Sequence, residues 1–331
     1  MSLLLLDAGD LAAALPMHRA IDAMSEAFVL LATGAAQVPN RLHLDGDEGA
    51  TTLVMPGLVP GQSLGAKLVS IYPANAAAGR PVIQGLVVLF DVGTGTPTAV
   101  LDGTFLTAWR TGAASGLATR LLAREDARVG AVLGAGPQAR TQLCALDAAR
   151  ELEEIRVHGR TRARAEELVA DLAPNARATL KVAPSVAKAV KDADVICTAT
   201  PAEAPILPDK GLATGAHVSA VGSFRRSMRE LEPKTIDRAR IFVDRVQDAT
   251  EEAGELIEAL ERDPEASRRW TELGRVAAGV AEGRRDDDEL TLFKSVGNAV
   301  QDLVAAHHAV EAARVLGLGK DCPFEPSPLL G

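Results

Sequence analysis

The sequence predicts an α/β protein whose middle is a Rossmann-type doubly wound parallel sheet, on three observations. The stretch Arg128-Val-Gly-Ala-Val-Leu-Gly-Ala-Gly-Pro-Gln-Ala-Arg140 reads as strand, tight turn and helix. Short apolar runs then alternate regularly with helix-compatible segments between residues 154 and 243. Ahead of both, residues 51–101 hold four strand candidates with no helix between them, the pattern of a separate meander-like sheet.

In chain order, the apolar run from Leu3 to Leu6 predicts an opening strand. It is short, lacks a basic flank and meets Asp7 at once, unlike a secretory signal. Leu11, Leu15, Ile21, Met24, Phe28 and Leu31 recur at helical spacing up to Gly34, and Pro16 divides that helix in two. Strands are expected over 51–55, 64–72, 84–91 and 97–101, with residues 92–96 as a hairpin loop. Residues 103–123, rich in small side chains, predict a helix that delivers the chain to Arg128.

Strands over 129–133, 154–158, 178–182, 193–199, 217–221 and 241–243 follow, with helices over 138–150, 161–172 and 185–191. The charged stretch 281–290, including Arg284-Arg-Asp-Asp-Asp-Glu289, reads as a solvated loop. A last strand over 291–296 leads to a helix over 298–316, stopped by Gly317. Its apolar residues Val300, Leu303, Val304 and Val310 are expected to return to the first domain.

The composition, 47% hydrophobic and 24% charged with a net charge of −9, describes a globular chain without the basic clusters that nucleic acid demands. No apolar run approaches the roughly 18 residues of a membrane span, and a cytoplasmic enzyme is the expectation. Cys144, Cys197 and Cys322 form no CxxC pair and the six histidines form no ligand spacing, so neither a zinc site nor a disulfide framework is predicted.

Gly134, Gly136 and Ala139 fit G-x-G-x-x-A. The first glycine permits the tight turn, the second lets the backbone approach a pyrophosphate, and the small third residue packs helix on strand. Ala135, Pro137 and Gln138 complete the turn and the helix start, where amide groups meet negative charge. An NAD site usually places an acidic residue at the end of the second strand. Here that place holds His158-Gly-Arg-Thr-Arg162, while Glu153 and Glu154 come before the strand. Arg160, Thr161 and Arg162 suit a ribose 2′-phosphate, so NADPH is favoured over NADH, or else these arginines only decorate a helix N-terminus.

Lys67 shares its strand face with Gly65, Val69 and Ile71, so it needs an anionic partner or a route to water. Arg110 lies among small residues, and Arg41 follows Pro39-Asn40. Each alone could be a solvent-exposed cation; together they could clamp a carboxylate.

With these residues placed, the chain resembles the ornithine cyclodeaminase/μ-crystallin family from about residue 37 to residue 316. The resemblance rests on Gly65-Ala-Lys-Leu-Val69, Gln84-Gly-Leu-Val-Val-Leu-Phe-Asp91, Arg110-Thr-Gly-Ala-Ala-Ser115, Gly134-Ala-Gly-Pro-Gln-Ala139, Ala220-Val-Gly222 and Phe293-Lys-Ser-Val-Gly297. It implies a Rossmann NAD(P)-binding domain (116–296) inserted in a discontinuous α+β substrate-binding and dimerisation domain (1–115 plus 297–331), a homodimer, and a substrate cleft between the domains. It also implies that Arg41, Lys67 and Arg110 hold a substrate carboxylate. Thr111, Thr198-Ala199-Thr200, Val221 and Ser295 with Gly297 match cofactor-side positions.

One departure shapes the expected chemistry. Cyclodeaminases and alanine dehydrogenases of the family carry an acidic residue shortly after the Val-Gly pair, whereas this chain has Phe224 in Val221-Gly-Ser-Phe224. Phenylalanine moves no proton, and Glu230 is the nearest candidate substitute. The resemblance therefore implies a ketimine reductase, taking Δ1-pyrroline-2-carboxylate to L-proline or the six-membered homologue to L-pipecolate. A cyclodeaminase or alanine dehydrogenase acting on an amino acid, and a crystallin-like binding protein, are the alternatives.

Overall fold

A computed structural model describes residues 2–324, which divide into two compact units: the chain up to Arg110 with that from Asn298 onward, and Thr111–Gly297. The first unit opens with strand β1 (Ser2–Leu6) and helices α1 (Ala8–Ala14) and α2 (Met17–Ala32). Asp7 caps α1 reciprocally with Asp10, and Pro16, which cannot continue a helix, separates α1 from α2. Strands β2 (Leu42–Asp45), β3 (Thr51–Val59), β4 (Ser63–Ile71), β5 (Ile83–Phe90) and β6 (Pro97–Asp102) form an antiparallel meander.

Strand β2 is not among the expected strands: Leu42 and Leu44 alternate with His43 and Asp45, but the run is only four residues long, and all four are exposed. Strand β3 runs past the expected end at Met55, through Pro56. Partner β2 pairs only as far as Val54, so no ladder hydrogen bond on that side is lost at the proline. Helix α3 (Gly103–Leu122) follows, and the division between the units falls after Arg110 within it.

The second unit is an eight-stranded parallel sheet. Its elements are β7 (Val129–Leu133), α4 (Pro137–Ala149), β8 (Glu154–His158), α5 (Arg162–Leu172), β9 (Thr179–Val182), α6 (Val186–Val190), β10 (Val195–Thr198), β11 (His217–Ala220), α7 (Pro233–Arg238), β12 (Arg240–Val243), α8 (Val246–Glu252), α9 (Gly254–Arg262), β13 (Thr271–Glu272), α10 (Leu273–Ala277) and β14 (Thr291–Lys294). The strand order is β13-β12-β14-β11-β10-β7-β8-β9. The chain turns from one side to the other between β7 and β10, the switch point at which open α/β sheets place ligands. Strands β10, β11 and β14 are buried along their whole length, as a sheet covered on both faces requires.

The stretch 281–290 departs from the solvated loop expected of it. Asp286, Asp287 and Asp288 are exposed, but the half-buried Arg284 donates to the carbonyl oxygens of Leu122 and Ala216 and to Thr291 Oγ1. The two carbonyl acceptors lie far away in sequence, so a local charge count cannot reveal them.

The chain then returns to the first unit as α11 (Ala299–Leu316), ended by Gly317 at φ 67°, and β15 (Lys320–Pro323). Strand β15 pairs antiparallel with β1, and β1 pairs parallel with β6, completing the seven-stranded order β15-β1-β6-β5-β4-β3-β2. Helix α11 packs on α2 and on β3 and β4. Its close approach depends on Gly57 and Gly65, which face each other across β3 and β4 and leave a notch filled by Leu303. Among the described residues, no helix is long and apolar enough to cross a membrane.

A side chain at residue 65 would overlap the Val88 carbonyl oxygen on β5 and press on Leu303. We expect Gly65→Ala to lower stability by about 3 kcal/mol, through overpacking against backbone that cannot yield. Urea denaturation of the purified variant measures this, and an unchanged midpoint contradicts it.

Candidate active site

In the first unit the meander brings Lys67 into the row Met55–Lys67–Val87 on the covered face of the sheet, where it is 2% exposed. It stands on β4, in the interior of the sheet, so it does not reach water from an edge. Its Nζ lies 2.6 Å from Asp302 Oδ2 on α11, and Asp302 is fully buried. Arg110, 5% exposed, donates from Nε to Asp302 Oδ1 at 2.9 Å and from Nη1 to Gln301 Oε1 at 2.8 Å.

Burial lowers the Lys67 ammonium to about 8; Asp302 opposes that fall, while Arg110 and Arg41 add to it. Burial alone would raise Asp302, but the charges of Arg110 and Lys67 outweigh it and hold the carboxyl below its ordinary range. Arg41 itself is half-buried. Arg110 and Arg41 thus both act electrostatically on Lys67, and Asp302 supplies the negative charge that opposes them there. Such a cluster has positive charge to spare for an anion.

In the second unit, β7 ends at Gly134, whose φ of 139° suits glycine and whose close neighbour is the Ala199 carbonyl. A side chain at Gly136, by contrast, would meet nothing within 4 Å. That open cradle precedes α4, whose first amides have no acceptor within the helix. Pro137 begins that helix and Ala135 lies half-buried before it. Gln138 Oε1 is buried without a protein hydrogen-bond partner. Space and free amides at the switch point fit a dinucleotide phosphate.

Arg160, Thr161 and Arg162 are exposed past the end of β8. Thr161 occupies the N-cap of α5, and Arg162 pairs with Glu166 at 2.7 Å. Glu154 opens β8 at its other end and binds Arg156 and Lys181.

Three buried carboxylates hold the loops that leave the strands. Glu230, fully buried, accepts from Thr198 Oγ1 (2.8 Å), Thr200 N (2.7 Å), Thr200 Oγ1 (2.9 Å) and Gly222 N (2.8 Å). Burial raises its pKa against the opposing Lys294 charge and these donors. With its four acceptor positions filled, Glu230 serves as a tie between loops, which argues against it as the substitute acid.

Asp244 accepts from Ser295 Oγ, Val296 N and Gly297 N at 2.7–2.8 Å. Glu255 accepts from Ser223, and Lys294 donates to the Ser223 carbonyl at 2.6 Å. Phe224 follows, half-buried, with the Arg225 guanidinium 5.5 Å from its ring centroid. Of the other positions implied by resemblance, Thr111, Thr198, Ala199 and Val221 are buried and Thr200 is half-buried.

The profile of the ornithine cyclodeaminase/mu-crystallin family matches residues 3–315. The chain belongs to this family. A Δ1-pyrroline-2-carboxylate reductase of Bacillus cereus is 38% identical over 281 residues, covering 84% of this chain and 86% of that one. An alanine dehydrogenase of Archaeoglobus fulgidus is 32% identical over 330 residues, 98% of this chain and 99% of its own. The Δ1-pyrroline-2-carboxylate reductase of Thermococcus litoralis, solved with NADH and L-proline, superposes with a TM-score of 0.92 at 34% identity. That match covers 96% of this chain and 99% of the other.

Within this family member, sequence reasoning missed Asp302, Gln301, Asp244, Glu255 and Lys294. One signal was available: Gln301 and Asp302 are adjacent polar residues in a stretch otherwise built of Ala, Val and Leu, and the whole stretch 299–306 is buried. The same is true of Asn298, whose two side-chain polar atoms are buried without protein partners.

If the cradle at Gly136 receives a phosphate, filling it must cost binding and spare the fold. We expect Gly136→Ala to hold stability within about 0.5 kcal/mol while weakening NADPH binding at least about tenfold, a loss of roughly 1.4 kcal/mol. A fluorescence titration showing unchanged affinity would count against this reading of the turn.

Proposed function

We propose that the chain is an NAD(P)H-dependent reductase of a cyclic ketimine carboxylate, converting Δ1-pyrroline-2-carboxylate to L-proline, with the six-membered homologue as a second substrate. The observation that carries this reading is the buried cluster of Lys67 and Arg110 on Asp302, with Arg41 close enough to act on it. The relatives support the substrate: two reductases of Δ1-pyrroline-2-carboxylate share more than a third of their residues with this chain, one of them solved with L-proline.

The chemistry asks little proton transfer of the protein. Protonated at nitrogen, the imine is already electrophilic, and a bound nicotinamide supplies the hydride. Arg110 and Arg41 bind the carboxylate, and Lys67 binds it too or stands beside the imine, so that the ring is held in one orientation. Phe224 stands in the sequence where an amino-acid deaminase of the family needs an acid, and the filled acceptors of Glu230 provide no replacement. This favours reduction over the cyclodeaminase and alanine dehydrogenase alternatives. A crystallin-like binding role would use the same carboxylate clamp, and turnover in the assay separates it from catalysis.

NADPH is the preferred reductant, because Arg160 and Arg162 are exposed beside Thr161 with a single carboxylate, Glu166, pairing Arg162. The NADH of the Thermococcus relative supports the nicotinamide in general. We place the enzyme in the cytoplasm.

A homodimer completes the reading. Leu42, Val54, Leu68 and Leu86 stand directly opposite one another across β2, β3, β4 and β5, on the face away from Lys67. Leu42, Leu68 and Leu86 are 60%, 43% and 52% exposed. An apolar row of this kind across an open sheet suits a second copy of the same surface.

The decisive assay follows NADPH consumption with Δ1-pyrroline-2-carboxylate, beside NADH, and beside ornithine with NAD. Rapid oxidation of NADPH by the cyclic imine alone is expected; ammonia release from ornithine would overturn the assignment.

Because the Lys67 ammonium is lost as pH rises through about 8, kcat/KM should hold below that pH and fall above it. Lys67→Met should fold and lose turnover by roughly a hundredfold, the scale of two to three kcal/mol of charged hydrogen bonding. Near-normal rates would contradict the role given to Lys67. Leu68→Asp should leave a folded monomer by analytical ultracentrifugation, and an intact dimer would exclude this face as the interface.

A further inference from the structure

We propose that Asp302 is the positioning residue of the carboxylate clamp, holding the Lys67 ammonium on one oxygen and Arg110 Nε on the other. This leaves the Nη1–Nη2 edge of Arg110 as the bidentate face for substrate. The inference rests on the reading of Lys67 and Arg110 as that clamp.

The geometry supports it in three ways. Asp302 Oδ1 takes Arg110 Nε at 2.9 Å and Gln301 Oε1 takes one hydrogen of Nη1 at 2.8 Å, so the guanidinium is held on two sides. Beyond these two bonds the guanidinium retains one hydrogen on Nη1 and two on Nη2, and these are assigned to a carboxylate ligand. Asp302 Oδ2 lies 2.6 Å from Lys67 Nζ. Finally, the backbone sets the place of Asp302: its neighbour Leu303 fills the Gly57/Gly65 notch.

Charge gives the arrangement its function. The groups acting on Lys67 are Asp302 from α11, Arg110 from α3 and Arg41 from the segment before β2. Two of the three are cations that favour loss of its proton. Asp302 is the single group that retains it, and Lys67 is a useful ligand for a carboxylate only while protonated.

The test is Asp302→Asn, which keeps the shape and removes the charge. Lys67 should then lose its proton at least about one pH unit lower, the usual scale for an adjacent opposite charge. The alkaline limb of kcat/KM should move with it. The KM for Δ1-pyrroline-2-carboxylate should rise at least about tenfold while the NADPH Kd stays unchanged, the pattern of a lost substrate clamp.

In the Lys67→Met background the same substitution should leave the pH profile where it is, since the group it acts through is gone. A purely structural role predicts instead that NADPH binding and substrate KM deteriorate together with no displacement of the pH limb. That result overturns the proposal.

A second measurement needs no turnover. In unliganded protein carrying 13C-labelled lysine, the Lys67 signal, assigned with Lys67→Arg, should titrate near 8 in the wild type and at least about one pH unit lower in Asp302→Asn. A midpoint that does not move when Asp302 is replaced by Asn, or by Ala should Asp302→Asn fail to fold, overturns the proposal. If wild-type enzyme fails to reduce the imine, the functional reading falls, while this titration still decides the coupling of Lys67 to Asp302.

Discussion

A lysine buried in the interior of a β-sheet has to be compensated, and much of the first unit follows from that requirement. Lys67 on β4 needs an anion; Asp302 supplies it from the first turns of α11. Asp302 can reach only because α11 lies close to the sheet, and that approach depends on two glycines facing each other on β3 and β4. Breaking one partner of a buried pair leaves an uncompensated charge, a cost of about 3–5 kcal/mol. Such an arrangement is a poor way to gain stability and a good way to keep cations pointed at an anionic ligand.

The second unit applies the same physics to its loops. Glu230 and Asp244 give up hydration and recover it as hydrogen bonds from backbone amides and hydroxyls beyond β10, β11 and β14, while Glu255 takes the Ser223 hydroxyl and faces Lys294 Nζ at 3.6 Å. A buried carboxylate with its acceptor positions filled holds a loop more firmly than apolar packing does, because releasing it exposes an unsatisfied charge. Loops that contact a cofactor need this rigidity, since small displacements of a reacting group are expensive.

Phe224 then acquires meaning from its surroundings. It occupies a loop anchored by Ser223 to Glu255 and Lys294. Glu255 and Lys294 are thus engaged in holding this loop, and Phe224 itself is apolar.

Local chemistry is what the amino-acid sequence determined alone: the strand–glycine–helix turn at Gly134, the division of the first helix at Pro16, the alternation that makes the second unit a parallel sheet, and the apolar company of Lys67 on its strand face. These depend on residues within a turn or two of each other, and the motifs carrying the family resemblance are of the same kind.

Tertiary structure alone decided that β14 enters the sheet between β11 and β12, and that β15 closes on β1. It decided that Arg284 caps distant carbonyls and that Asp302 faces Lys67 across 235 positions of chain (302 less 67). The reason is physical: periodicity reports which face of an element is covered, but the partner of a buried charge is chosen by packing, and packing is not written in local spacing.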